Sequence, residues 1–490
     1  MKIHQVESTR IGRVEFGTVR PEHKNHISVL TGPNGSGKTE ILATIANVFY
    51  GALHSTEEPA SVSWSNRGQV AHATYRNRHE IRRPRVVAQT FSPFSRFPVH
   101  LHDDSRFALP FDDSLEGHEQ YVPVGFASNL TRNIKELTRS TVEAGLLRLS
   151  NEPKAAKAII SVLRELEFQQ GMLLEYQGSQ LLHALGSIAG QHNAIEEALL
   201  RSEKSGALSI NGYRPFRISD IKLHDEVRRG DISYVADFIR HAIKLTRPYQ
   251  SNAVSSANQH YEFQTFEEHS MSSDYRVLQA FSTLRQLGLM KLNRCLVRPA
   301  GSPTIDVTLT SSGQQQLLCT FLGLASALVD DAVVLIDEPE LSLHPRWQLK
   351  FIAHIKKVLD VVSGCHVIIA THSPLITQAA ISHGAEIKEL APVVSFEKST
   401  NPKKLSVDEA LVTIFDTPVP NSLHVANEIL ELISEAESGD SLNLTRALQQ
   451  IDAYLQIYRG GDESHDMVRL LEKASRLIRA SGRDSSERLA

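Results

Sequence analysis

The chain has 490 residues, 41% of them hydrophobic, and a formal net charge of −4, so it holds about three or four domains' worth of material and can bury sizeable cores. So weak a charge excludes polyanion binding through the overall field and leaves only a local patch for that purpose. The N-terminus, MKIHQVESTRIGRVEF, has no apolar signal segment, and the longest apolar run, Leu317 to Val329, is shorter than the roughly 20 residues that cross a bilayer, so a soluble cytoplasmic protein with no membrane contact is expected.

The first strong element is an apolar strand at Ile27 to Leu30. It runs into a loop of the form G-x-x-x-x-G-K-T and then into a helix. The loop residues are Gly32, Pro33, Asn34, Gly35, Ser36, Gly37, Lys38 and Thr39. Such a loop points backbone N–H groups inward around a phosphate, which glycine permits at little conformational cost. Lys38 supplies a point charge to the outer phosphates, Thr39 offers a hydroxyl to Mg²⁺, and the helix N-terminus adds its positive end. Next comes RNRHEIRRPR, Arg76 to Arg85, with five arginines and one glutamate. It reads equally as a nucleic-acid contact or as a solvated basic loop. The strand beginning at Val86 ends in Gln89, placed to reach Mg²⁺ and a water.

The middle of the chain reads helical. EPKAAKAIISVLRELEF puts Ile159, Leu163 and Leu166 on one face, and YVADFIRHAIKL does so with Val235, Phe238, Ile239 and Ile243. SINGYRPFRISD between them suggests a loop or a short strand pair. No sustained heptad appears, so a compact helical lobe is expected in place of a long coiled coil.

At Ser311 to Gln316 the sequence SSGQQQ precedes the apolar run LLCTFLGLASALV. By itself it is a helix cap. Shortly after, Val333 to Ile336 reads as a buried parallel strand ending in Asp337 and Glu338. Adjacent carboxylates at a strand's C-terminal end can hold a metal and activate a water. A further strand from His366 ends in Thr371, His372 and Ser373, where His372 can contact a phosphate or the attacking water. Several parallel strands that each deliver a polar residue at the C-terminal end build a site in the manner of open α/β sheets. Beyond Pro402 the chain reads helical, with Leu444, Leu448, Ile451, Leu455 and Tyr458 forming one stripe and Met467, Leu470, Leu471, Leu477 and Ile478 another. These stripes either pack within the protein or dock a partner. Cys295, Cys319 and Cys365 lack paired spacing and read as buried thiols of a reducing compartment.

Taken together, GPNGSGKT, VVLIDEP, His372 and Gln89 resemble the Walker A, Walker B, switch histidine and Q-loop of the ATP-binding-cassette class of P-loop ATPases. SSGQQQ stands where that class carries its signature motif. The stretch EPELSLHP with the later THSP is similar to the branch that contains RecF, the SMC-like clamps, the OLD-family ATPases and PtuA, the ATPase of Septu and related retron defence systems. The resemblance covers roughly 1–130 and 260–400 and is nearest to PtuA. It implies an α/β fold with a mostly parallel sheet, a helical insertion lobe and a helical C-terminal extension. The implied division is 1–130 for the first ATPase part, 131–255 for the lobe, 256–400 for the second ATPase part and 401–490 for the extension. It also implies ATP and Mg²⁺ as ligands, with Thr39, Asp337 and Gln89 at the metal and Glu338, His372 and Gln89 in catalysis. In that class two copies pack head to tail, and Ser311, Ser312, Gly313 and Gln314 of one close over the nucleotide of the other, in a homodimer or a higher homo-oligomer. Ser312 departs from the glycine that transporters carry. No D-x-D, H-N-H or metal-ligand spacing stands out, so the resemblance implies a separate HNH nuclease partner like PtuB, with a reverse transcriptase and retron RNA or DNA in the retron-linked case. The alternatives are a repair or clamp ATPase acting on DNA and, behind it, a transporter subunit.

Overall fold

The computed structural model describes residues 1–17, 24–50, 60–74, 83–90, 96–97, 121–125, 134–151, 160, 163–164, 168–191, 193–217, 232–251, 260–265, 271–299, 303–390, 406–415, 417–420, 422–437, 441–459 and 465–487. The expected boundaries at 130, 255 and 400 lie outside the described residues, as do Arg76, Arg78, Arg82 and most of EPKAAKAIISVLRELEF.

The centre is a six-stranded, wholly parallel sheet of β3 (His26–Thr31), β6 (Val86–Thr90), β7 (Tyr121–Gly125), β14 (Val333–Asp337), β15 (His366–Ala370) and β16 (Glu386–Glu389). Its order is β16-β3-β15-β14-β6-β7. Strands β3, β6, β14 and β15 are buried along their whole length. Both faces are covered, which is why they read as continuous apolar runs and not as alternating ones. Alternate residues feed two cores. Leu30, Val86, Ala88, Val333, Leu335 and Ile368 face one, together with α1 (Lys38–Tyr50). Val29, Val87, Val334, Ile336, Val367 and Ile369 face the other.

The first core is closed by an antiparallel sheet of β1 (Lys2–Ser8), β2 (Gly12–Glu15), β4 (Ala60–Asn66) and β5 (Gln69–Thr74). The second takes in α2 (Ile134–Asn151), α7 (Ser312–Ala327), α8 (Pro345–Leu359) and α9 (Pro374–Ser382). Close approach of α2 to α7 requires Gly145, where a Cβ would stand 2.6 Å from Leu322 Cβ.

The insertion differs from the expected helical lobe. It holds α3 (Gln180–Ile188), α4 (Ala194–Ser205) and α5 (Ile232–Thr246), but also β8 (Phe168–Gly178). β8 pairs with β11 (His260–Thr265) and β12 (Met290–Pro299), and β12 with β13 (Ile305–Asp306). This antiparallel sheet joins the lobe to chain that lies beyond residue 255, while α6 (Met271–Gln286) packs against it. The period-two pattern of Met172, Leu174 and Tyr176, all buried, is the local trace of β8. The SINGYRPFRISD segment contributes to the expected short pair, β9 (Ala207–Leu208) with β10 (Phe216–Arg217). A buried polar cluster ties sheet, α2 and α6 together. Tyr176 Oη donates to Glu143 Oε1 at 2.6 Å and Arg285 Nε to Glu143 Oε2 at 2.6 Å. Arg139 on the same helix pairs with Asp306 at 3.1 Å, and Asp306 caps the turn that leads into α7.

The C-terminal extension comprises α10 (Val407–Thr413), α11 (Leu423–Glu437), α12 (Ser441–Tyr458) and α13 (His465–Glu487). These helices pack on one another in a core of their own, into which Ile451, Leu455, Tyr458, Met467, Leu471 and Ile478 are buried. The 444-to-458 stripe is thus used internally. Leu470 and Leu477 of the last stripe stay exposed, as do Leu423 and Leu430 on α11. All three cysteines are free and buried, and burial pushes the Cys319 thiol up to about 12 and that of Cys365 to about 11. Among the described residues no helix is long and apolar enough to cross a membrane.

Candidate nucleotide site

β3 delivers the phosphate loop. Gly32 has φ +137°, and a Cβ there would lie 2.4 Å from the Leu390 carbonyl oxygen, so backbone conformation and space both demand glycine. Gly35 and Gly37 also take positive φ. Lys38 opens α1 with its side chain folded across the loop. Its Nζ donates to Gly32 O at 2.8 Å, Pro33 O at 2.9 Å and Ser36 Oγ at 3.3 Å. Burial pulls its pKa down to about 8, against the opposing pull of Glu338, Glu340 and Asp337.

Asp337, at the end of β14, accepts from Thr39 Oγ1 at 2.9 Å, which joins the two halves of the sequence across the site. Burial raises its carboxyl to about 7, although the Thr39 hydroxyl acts in the other direction. Glu338 follows in left-handed backbone, φ +47°, a conformation that non-glycine residues seldom hold and that concentrates at functional sites. Its N–H donates to Ala370 O at 2.9 Å. His372, half-buried, has its pKa lowered by burial and then by the Lys38 ammonium.

Glu340 is a residue the sequence reading passed over. Its carboxylate accepts from Thr371 Oγ1 at 2.7 Å and from the His372 N–H at 2.5 Å, and so ties the end of β15 to the loop after β14. Burial raises its pKa. The only local trace was a second glutamate two positions beyond Glu338, facing a Thr-His pair elsewhere in the chain.

Gln89 is placed differently from its neighbours. The register pairs it with Ile336 and pairs Thr90 with Asp337, so pleat alternation sets Gln89 on the face away from Asp337. It is fully buried, and neither amide atom has a partner among the described residues. Arg83 and Arg85 of the basic segment are half-buried and donate to the carbonyls of Phe49 and Ala327.

SSGQQQ is largely engaged within its own chain. Ser311 and Gln314 form a capping box at the start of α7. Gln315 Nε2 donates to Thr138 Oγ1 at 2.7 Å on α2. Gln316, buried, donates through Nε2 to Pro339 O at 2.7 Å. A Cβ on Gly313 would lie 2.8 Å from Ser342 O, so this glycine lets α7 press against the loop after Glu338. Ser312 is exposed at the tip of the helix and makes no side-chain bond among the described residues. Gln316 thus grips the carbonyl between Glu338 and Glu340. Gln316→Leu strands that carbonyl, which costs about 1–3 kcal/mol locally. The expected result is a kcat about 10–100-fold lower with nucleotide affinity unchanged, because a small misplacement of a reacting group has that effect. Stopped turnover assays beside equilibrium nucleotide binding check it, and an unchanged kcat removes the role.

The site residues fit Mg²⁺. Thr39 Oγ1 and the Asp337 carboxylate are hard oxygens already in contact, and a buried carboxyl held near neutrality gains from a cation. Bound there beside phosphate oxygens, the ion would neutralise charge that develops on them. A proton on Asp337 competes with the ion. Since the carboxyl sits at about 7, apparent Mg²⁺ affinity is full above that pH and falls about tenfold per unit below it. A Mg²⁺ titration of nucleotide binding across pH reads this, and a flat profile down to about pH 5 contradicts it.

The pattern of a parallel sheet with a phosphate loop at one strand end and acids at the next is decisive. The chain has an α/β core with a parallel sheet and a loop of the phosphate-loop type at the end of β3. Residues 301–377 match the family model described as AAA domain, putative AbiEii toxin, Type IV TA system, a stretch that takes in α7, β14 and β15. Protein ea59 of Escherichia phage lambda is 40% identical over 68 residues, 14% of this chain and 13% of that protein. The Retron Vc95 probable ATPase of Vibrio cholerae serotype O1 biovar El Tor is 30% identical over 140 residues, 27% of this chain and 25% of that protein. The matches therefore span a quarter or less of these relatives' length. Among solved structures, the SMC head domain from Thermotoga maritima covers 77% of this chain and 92% of its own at 11% identity and a TM-score of 0.26. The SMC head bound to the C-terminal winged-helix domain of ScpA covers the same shares at a TM-score of 0.28. At those scores the P-loop assignment rests on the sheet and its loop.

Proposed function

We propose that this chain is the ATP-binding and ATP-hydrolysing subunit of an anti-phage defence complex, of the ATP-binding-cassette type and similar to PtuA of Septu and retron systems. The observation that carries the defence reading is the match to a retron's probable ATPase. In this reading the phosphate loop and Lys38 hold the ATP phosphates. Thr39 and Asp337 hold Mg²⁺, Glu338 takes a proton from the attacking water, and His372 contacts the γ-phosphate. Two copies meet head to tail, and Ser312 of one faces the nucleotide of the other. ATP favours the closed pair, and a separate nuclease that prefers one state is switched when ATP is hydrolysed.

The exposed leucines at 423, 430, 470 and 477 on the adjacent helices α11 and α13 give that nuclease an apolar surface to dock on. Purification from the native host tests the reading. A nuclease should come down with the wild-type chain and be lost with Leu470→Glu plus Leu477→Glu, while ATP binding persists. These positions are exposed, so the substitutions spare the bundle core. Recovery of DNA-repair proteins or a permease, with no nuclease, ends the defence reading and favours a clamp or a transporter subunit.

A further inference from the structure

The lobe carries a cleft of about 870 Å³ between α3, α5 and the turn at Arg247–Tyr249. None of its lining residues belongs to the phosphate loop or to the strand ends that carry Asp337 and His372. Its wall is cationic. Arg240, Lys244 and Arg247 line it with His183 and His241, against one carboxylate, Asp237, which is hydrogen-bonded to Arg240. The side chains of His241, Lys244 and Arg247 are exposed and make no hydrogen bond or ion pair with any described residue. The opposite wall, on α3, carries Leu182, His183 and Ser187 beside Gly186. Gly186 lies within α3, and a Cβ built on it meets nothing within 4 Å. Glycine in a helix interior weakens the helix, and packing gives no reason for it here. It leaves room for something that approaches the backbone closely. At the floor, burial pushes the Tyr261 phenol up to about 12, so it remains a hydroxyl donor. Of the rings at the rim, His183 packs edge-on against Tyr213, with centroids 5.8 Å apart. The cleft thus offers charge and hydrogen-bond donors, with the His241 imidazole as an exposed ring on its wall.

We infer that this cleft binds the phosphodiester backbone of a single-stranded nucleic acid, with Arg240, Lys244 and Arg247 on the phosphates and with no reading of base sequence. Lys244 and Arg247, which pair with no described residue, line the groove together with Arg240, and such a row of cations beside the glycine of α3 suits a chain of phosphates. The inference does not depend on ATP turnover, so its failure and that of the ATPase reading are separable.

Anisotropy of a labelled single strand of about 20 nucleotides, as DNA and as RNA, with the full chain tests it across salt. Binding should weaken with salt at a log–log slope of about 0.7 for each phosphate contact. Lys244→Glu with Arg247→Glu should lower affinity at least about tenfold and flatten the slope by about 1.4. Gly186→Leu should also lower affinity, while its thermal midpoint stays at or above that of the wild type, because the side chain enters open space and the helix gains propensity. That variant distinguishes a blocked cleft from a damaged fold. Absence of strand binding by the wild-type chain overturns the inference. So do unchanged affinity and slope in both variants, or equal affinity for thymidine monophosphate and for the strand, which would make one phosphate and not a backbone the ligand.

Discussion

Glu338→Gln abolishes phosphate release and leaves ATP bound. The physical case starts from position. Glu338 directly follows the Asp337 that contacts Thr39, its amide is locked onto Ala370 O, and its left-handed backbone turns the chain at the strand end. Glutamine keeps size, backbone preference and hydrogen bonding but cannot take a proton, so the loss expected in kcat is that of a general base, about 10²–10⁴-fold. Lys38 and the loop are untouched, and nucleotide affinity should hold within about threefold or tighten as the closed pair persists. Glu340→Gln is the matched control. Glu340 is occupied by Thr371 and the His372 N–H, so this change should loosen the end of β15 and lower kcat far less. Steady-state phosphate release and equilibrium nucleotide binding read both variants. Normal turnover in Glu338→Gln with a dead Glu340→Gln would move the base to Glu340.

Chains carrying Ser312→Asp and chains carrying Lys38→Ala are each inactive alone and recover activity when mixed. Ser312 is the probe of choice because Gly313 cannot serve. An added side chain there strikes Ser342 O within the same chain and would break the site from inside. An aspartate at the first turn of α7 favours the isolated helix by about 0.3–1 kcal/mol through the helix dipole. The same charge repels a phosphate presented by a partner copy. In a mixed pair one composite site keeps Lys38 from one chain and Ser312 from the other. With random pairing and independent sites, about a quarter of wild-type turnover should return. Lack of recovery in pairs proven to be mixed would place Ser312 outside the site.

The parts legible in the sequence were those whose physics is local. A buried parallel strand needs apolar residues along its whole length, so β3, β14 and β15 stood out as runs ending in Thr31, Asp337 and Ala370. A phosphate loop needs positive φ at fixed spacings, so Gly32, Gly35 and Gly37 marked it. A helix start needs a cap, which Ser311 and Gln314 supply.

The tertiary structure decided what depends on distant partners. β8 reads as part of a helical lobe until β11 and β12 arrive from about a hundred residues away to complete its hydrogen bonds. Gln89 reads as a metal ligand until the register sets it across the sheet from Asp337. Glu340 and Gln316 stand in stretches the sequence singles out, but the role of each comes only from the N–H or carbonyl that folding brings to it. Arg83 and Arg85 donate to backbone carbonyls, and Arg240, Lys244 and Arg247 line a cleft in the lobe, because charge in a chain acquires a direction only when the surface is folded.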